Sequence, residues 1–257
     1  MRWSFLLTTV MVLASWARAE VEIRVIYDNT SARAGVKEDW GFAAVVTVDG
    51  ERILFDSGTK PALFLDNLKK LGVEPRSIRT AMISHQHGDH RNGIYELYPA
   101  HPGLPVHFLK TFEPAAWEAA ARIGMKPVAV GDTPLRIASK VWTTGRVAGE
   151  PDEQAMVVET RKGLVVMVGC SHPGVVKMVE AAERQRGRDS VYLLLGGFHM
   201  FRQNETQIAE QIEQLKKLKV ERIRPAHCTG ELAHGMFQKA WGNRYGTAGA
   251  GNIIQVD

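Results

Sequence analysis

The chain has 257 residues, 45% hydrophobic and 23% charged, with a formal net charge of +4. That composition suits a globular protein with a sizeable core and excludes a disordered or fibrous one. Lysine and arginine runs interleaved with aromatics are absent, so nucleic-acid binding has no support.

The basic start Met1-Arg2, the apolar stretch Phe5 to Trp16 and Ala17-Arg18-Ala19 fit an export signal cleaved after Ala19. The expectation is a removed signal over 1–19 and one domain over 20–257, periplasmic or secreted. Losing Arg2 and Arg18 would lower the charge from +4 to +2. No later segment is long and apolar enough for a stable membrane anchor.

Alternation at Val21, Ile23 and Val25 predicts a strand that ends in a turn at Asp28-Asn29. Phe42 to Val48 and Arg52 to Phe55 form a hairpin through Asp49-Gly50 and run into Asp56-Ser57-Gly58. Pro61 opens a helix with Phe64, Leu68 and Leu71 on one face and Gly72 past its end. A strand from Arg79 to Ser84 delivers His85-Gln86-His87-Gly88-Asp89-His90. A short helix (Asn92 to Tyr98), a strand (Val106 to Leu109) and a helix (Glu113 to Ile123) follow. Lys126 to Val147 carries short β-like pieces such as Lys140 to Thr143.

A second hairpin, Ala155 to Glu159 with Leu164 to Val168, ends at Gly169-Cys170-Ser171-His172. Pro173 opens a helix with Val175, Met178, Val179 and Ala182 inward. The strand Val191 to Leu195 leads to Gly196-Gly197-Phe198-His199. Asn204 and Gln207 form a capping box before Ile208, Ile212, Leu215 and Leu218 at helical spacing. Val220 to Pro225 ends at Ala226-His227-Cys228-Thr229-Gly230, followed by a helix from Glu231 to Trp241 and a closing strand from Ile253 to Val256. Two similar β-rich halves with outer helices predict an α/β protein of two sheets packed face to face between helical layers.

Three imidazoles and a carboxylate within six residues make a dense set of metal ligands. Asp56, the histidine segment, His172, His199 and His227 all follow strand ends, where sites tend to be built. Both cysteines, Cys170 and Cys228, lie near histidines, which favours a place at a metal over a disulfide. Asp28-Asn29 reads as a turn that shapes the pocket, and Asp152-Glu153 as solvated loop acids. Neither a Gly-x-Ser-x-Gly element nor a phosphate-binding loop occurs.

The histidine segment, Asp28-Asn29, Asp56-Ser57-Gly58, Gly169 to Gly174, Gly196 to His199 and His227 to Gly230 together resemble the metallo-β-lactamase fold superfamily. Within it the chain is similar to the dihydropterin-ribofuranosylaminobenzene phosphate synthase-like branch. The resemblance implies an αββα sandwich with a mono- or dinuclear metal site. It implies His85 and His87 at a first metal, Asp89 and His90 at a second, His227 as a late ligand, and Asp56 orienting a ligand imidazole. The family's third-motif histidine is missing, because no histidine occurs between His107 and His172. Cys170 lies near the expected place of the bridging aspartate. The expected set is therefore His85, His87 and His172 at one metal and Asp89, His90 and His227 at the other. Cys170 is a bridge or extra ligand that favours zinc, as one or two ions.

The leading expectation is an exported metal-dependent hydrolase of a small-molecule ester, lactone, amide or phosphoester. Asp89 would orient the metal-activated water and His199 would donate to a developing oxyanion. Amides after His172 and His227 would hold an anionic substrate group. The alternatives are a pterin-related synthase or transferase, and a metal-binding protein without turnover.

Overall fold

Alternating side chains sort each strand between two layers of core, and the computed structural model shows that sorting over residues 20–187 and 190–257. The expected export signal lies outside these described residues. In chain order the elements are β1 (Val21–Tyr27), β2 (Ala43–Val48), β3 (Glu51–Phe55), α1 (Pro61–Lys70), β4 (Ile78–Met82), α2 (Gly88–Ala100), β5 (Val106–Leu109), α3 (Pro114–Arg122), β6 (Val128–Val130), β7 (Leu135–Ala138) and β8 (Val141–Thr143). There follow β9 (Met156–Thr160), β10 (Gly163–Val168), α4 (Val175–Arg186), β11 (Val191–Gly197), α5 (Glu205–Lys217), β12 (Arg222–Ala226), α6 (Glu231–Trp241) and β13 (Ile253–Val256).

One sheet runs β13-β1-β2-β3-β4-β5-β6 and the other β12-β11-β10-β9-β8-β7. Val165 and Met167 of β10 face the first sheet, while Leu164, Val166 and Val168 face α4 and α5. A third apolar layer packs Phe64, Leu68, Ile94 and Leu97 against the outer face of the first sheet. The αββα sandwich expected from the sequence is therefore present.

Strands β3 and β4 pair in parallel, as do β10 with β11 and β11 with β12. Parallel neighbours present their C-terminal ends at one edge, where loops have room to converge. The passage between sheets lies within Lys126 to Val147: β6 ends the first sheet and β7 begins the second. No helix among the described residues is long and apolar enough to cross a membrane.

Two local expectations need correction. The helix expected from Asn92 starts at Gly88, with His87 as its N-cap, so Asp89 and His90 sit on its first turn. The acidic Asp89 suits that position, because the helix dipole is positive there. The helix expected to open at Pro173 starts at Val175 instead. The chain first makes a tight turn, Gly174 N–H donating to the Ser171 carbonyl at 2.8 Å.

Candidate metal centre

Four turns at the shared edge place a non-glycine residue in the left-handed region: Asp56 (φ 56°), Ser171 (φ 64°), His199 (φ 51°) and His227 (φ 49°). Each such conformation costs on the order of 1–3 kcal/mol and persists only where surrounding contacts enforce it. Gly169 lets the loops of the two sheets meet. A Cβ there would lie 2.1 Å from Ser84 Oγ and 3.1 Å from Asp56 Oδ2.

The edge brings the expected ligands together. The rings of His85, His87 and His172 face one another with centroids 4.8 to 4.9 Å apart. Asp89, His90, Cys170 and His227 form a second group, with ligand atoms within 4.8 Å of one another. Cys170 belongs to both neighbourhoods: it groups with His85 and His172, and its Sγ lies 3.2 Å from His90 Nε2. It also groups with His199 and Cys228. Both cysteines are free thiols and buried. His87 opens onto a cavity of about 410 Å³ bounded by Gln86, Phe112 and residues 149–152.

Three imidazoles are fixed through Nδ1, which turns Nε2 inward. Asp56 accepts from His90 Nδ1 at 2.7 Å and from Ser84 N–H and Oγ at 2.6 and 2.8 Å. With its proton given to Asp56, Ser84 Oγ accepts from His85 Nδ1 at 2.9 Å. Asn29 Oδ1 accepts from His227 Nδ1 at 3.0 Å. Hydrogen-bonding one nitrogen in this way fixes the tautomer and aims the other lone pair. His90 Nε2 and His227 Nε2 end 3.3 Å apart, the edge of a tetrahedron with metal–nitrogen bonds of about 2.0 Å.

Two buried atoms of this cluster, His85 Nε2 and His172 Nε2, have no hydrogen-bond partner. Buried polar atoms are rarely left so. Lone pairs converging with thiols and a carboxylate fit a divalent metal. In the metal-free chain, burial and then the neighbouring His90 and His172 push the His85 imidazole well below its usual range. Burial, His199 and His87 push His172 down to about 3. Burial also lowers His90, but the Asp56 carboxylate outweighs it and raises this imidazole to about 9.

The His172 shift sets a pH dependence. The unfolded chain takes up this proton near pH 6.5, whereas the folded chain refuses it until about pH 3. Chelated protein is therefore expected to lose stability as pH falls from about 6.5 towards 3. The substitution His172→Gln should flatten that slope in urea midpoints measured across pH. An unchanged slope would remove His172 from the cluster of neutral imidazoles.

Several roles differ from those expected. Glu153 is fully buried rather than solvated. Its Oε1 accepts from the amides of Gly169, Cys170 and Ser171 at 2.9 to 3.0 Å, and its Oε2 from that of His172 at 2.9 Å. Those four amides are thus engaged; after them Pro173 has no N–H, and that of Gly174 is taken by the Ser171 carbonyl. The His227 amide is likewise engaged, by Asp28 Oδ1 at 2.8 Å. Asp28-Asn29 does more than shape a pocket, since it fixes His227 at both backbone and ring. Asp152 is partly covered and pairs with Arg146 at 3.3 Å. His199 stands beside His172, ring centroids 4.4 Å apart, where it faces the centre.

Ser84 and Trp40 escaped sequence reasoning. Trp40 donates its indole N–H to Asp89 Oδ2 at 2.8 Å and lays its ring 4.8 Å from that of His227. The signal available for it was a tryptophan beside Gly41 immediately before an apolar strand. Ser84 adjoins His85, but the burial of Glu153 carries no local mark.

The family model described as the metallo-beta-lactamase superfamily matches residues 40–227. The chain is 30% identical to the 7,8-dihydropterin-6-methyl-4-(β-D-ribofuranosyl)-aminobenzene-5′-phosphate synthase of Methanocaldococcus jannaschii, over 80% of this chain and 84% of that protein. It is similar to a solved structure described as a metal-dependent hydrolase of the β-lactamase superfamily. The TM-score is 0.77 and the identity 26%, over 92% of this chain and 99% of the other. The metallo-β-lactamase fold protein YhfI from Bacillus subtilis shares the fold, with TM-score 0.66 and 16% identity over 91% of this chain and 99% of the other.

Proposed function

Because the chain belongs to the metallo-β-lactamase superfamily, we propose that it is a metal-dependent transferase of pterin-related type, joining two ring-bearing substrates at the histidine–cysteine centre. The observation that carries this reading is the 30% identity to a named synthase over 80% of the chain. His85, His87 and His172 would hold one divalent ion and Asp89, His90 and His227 a second, with Cys170 between them. Thiolate beside imidazole suits zinc. When bound, the ions would act as Lewis acids on a substrate oxygen.

The protein's own groups do the rest. Asp56 and Ser84 hold the His90 and His85 rings with Nε2 inward. The Asp89 carboxylate, Oδ2 3.3 Å from His227 Nε2, accepts a proton from the attacking group. The His199 imidazole, raised by its hydrogen bond to Cys228, donates to the oxygen of the group that leaves the activated donor as its bond breaks and the new bond forms. Phe198 and Met200, both buried, hold the backbone on either side of it.

A second reading keeps the site and makes water the acceptor, giving a hydrolase. It is favoured by the 26% identity to a metal-dependent hydrolase and by the export-signal pattern of residues 1–19. We propose in the same way that this signal is cleaved. The test loads the purified protein with zinc. It is offered an activated 7,8-dihydropterin-6-methyl donor with ribofuranosylaminobenzene phosphate, then a panel of esters, lactones, phosphodiesters and β-lactams. Coupled product that disappears with chelator and returns with metal is the expected result. Hydrolysis without coupling would turn the reading to the second, and bound metal with neither activity would overturn both. An intact Met1 on the soluble protein would overturn the export proposal.

A further inference from the structure

We propose that Trp40 and Phe201 form a rigid aromatic corner that binds the flat ring of the substrate against the metal centre. This deepens the proposed function and rests on its placing of the substrate at that centre. Few large apolar side chains are exposed among the described residues, and two of them, Trp40 (50%) and Phe201 (45%), touch each other beside the ligands. Their rings meet edge to face, centroids 6.5 Å apart at 85°. Val128, Leu232 and Ile253, the other exposed ones, are aliphatic.

Neither ring is loose. Trp40 is fixed by its indole N–H on Asp89 and by its contact with the His227 ring. Gly41, at φ 138°, packs so closely that a Cβ would lie 2.5 Å from the Asp89 carbonyl oxygen, which pins the chain beside it. Phe201 stands edge-on to the His199 ring, 5.2 Å between centroids. Behind it, a Cβ on Gly230 would come within 2.7 Å of Phe201 Cα. The corner therefore links the His227 side of the centre to the His199 side.

Exposed apolar rings held in place lose little entropy when a ligand docks. One ring offers a face and the other an edge, the geometry aromatic groups prefer. A flat aromatic compound satisfies both at once, and a sugar phosphate satisfies neither. The Arg202 guanidinium, 5.3 Å from the Phe201 ring centroid, adds a positive charge at the same rim.

The test measures binding by equilibrium dialysis on the zinc-loaded full chain. The probes are pterin-6-carboxylate and, as a non-aromatic anion, ribose 5-phosphate. Pterin-6-carboxylate is expected to bind saturably. Phe201→Leu and Trp40→Leu should each weaken it about ten-fold, the scale of one aromatic pair. Trp40→Phe and Phe201→Tyr should retain most of the affinity. Ribose 5-phosphate binding should not respond to Phe201→Leu, and zinc content should stay at the wild-type value in that variant. No binding of the pterin, equal pterin binding by wild type and Phe201→Leu, or an equal loss for ribose 5-phosphate would each overturn the corner. Ring binding that depends on Phe201 in a protein without turnover would overturn the proposed function and leave the corner standing. Metal-dependent coupling with no dependence on either ring would do the reverse.

Discussion

Replacing His85 with alanine is expected to strip metal from the protein while leaving it folded. His85 belongs to two of the four ligand groupings at the centre. It is buried, and its Nε2 has no partner in the protein. Loss of a group that merely orients a ligand costs roughly 10–100-fold in metal affinity. Loss of the ligand itself should cost at least about 100-fold, and activity should fall with occupancy. The Asp56–Ser84 hydrogen bonds do not need the imidazole, so the loop beneath it survives. Elemental analysis per chain is the measurement, with His101→Ala as the control, since His101 bonds the Ile78 carbonyl instead. Equal metal in His85→Ala and the control would sink the assignment of the centre.

The second large effect is expected at Glu153, which touches no substrate. Its carboxylate accepts four consecutive amides, and Glu153→Leu leaves all four without that acceptor. A buried donor stranded in this way costs about 1–3 kcal/mol. The total, on the order of 4 kcal/mol or more, approaches the whole stability of many domains. Glu153→Gln keeps an acceptor oxygen for the three amides on Oε1 but sets an amide NH₂ against His172 N–H, so about 1–3 kcal/mol is expected. Urea midpoints would check both. A leucine variant within about 1 kcal/mol of wild type would show that the loop does not depend on this carboxylate.

Glu153 also tilts stability with pH, in the direction opposite to His172. Burial pushes its carboxyl up to about 7 from 4.5, against the pull of the Ser171 and His172 amides. The fold thus holds this proton more tightly than the unfolded chain does. Its contribution is complete below about pH 4.5 and is lost as pH rises towards 7. Glutamine does not titrate, so Glu153→Gln should remove that slope and leave the one set by His172.

What the sequence made legible was local. Period-two alternation with Asp49-Gly50 marked the first hairpin, and the Asn204–Gln207 capping box is present as expected, with Gln207 N–H donating to Asn204 Oδ1 at 3.0 Å. The clustering of the histidines could be read because they follow strand ends, and strand ends are visible as changes of pattern. Glu153 could not be read. Its partners lie 16 to 19 residues away on another loop, and before folding nothing distinguishes it from Asp152. The start of α2 was hidden for a related reason. Glycine and histidine are weak helix formers, so propensity argued against a turn that the contacts of the site enforce. One such contact is Ser57 N–H donating to the His90 carbonyl at 2.7 Å.

Strand β13 pairs with β1 from Val21–Val256 to Arg24–Ile253, bringing the two ends of the described chain side by side. The six strands of the second sheet are contiguous, spanning residues 135–226. During translation that sheet has all its strands available before β13 has left the ribosome. The first sheet does not, because β1 exposes an unpaired edge until β13 has been made. Such an edge recruits strands from other molecules. A nascent chain stalled before β13 is made should therefore aggregate through β1, its oldest strand.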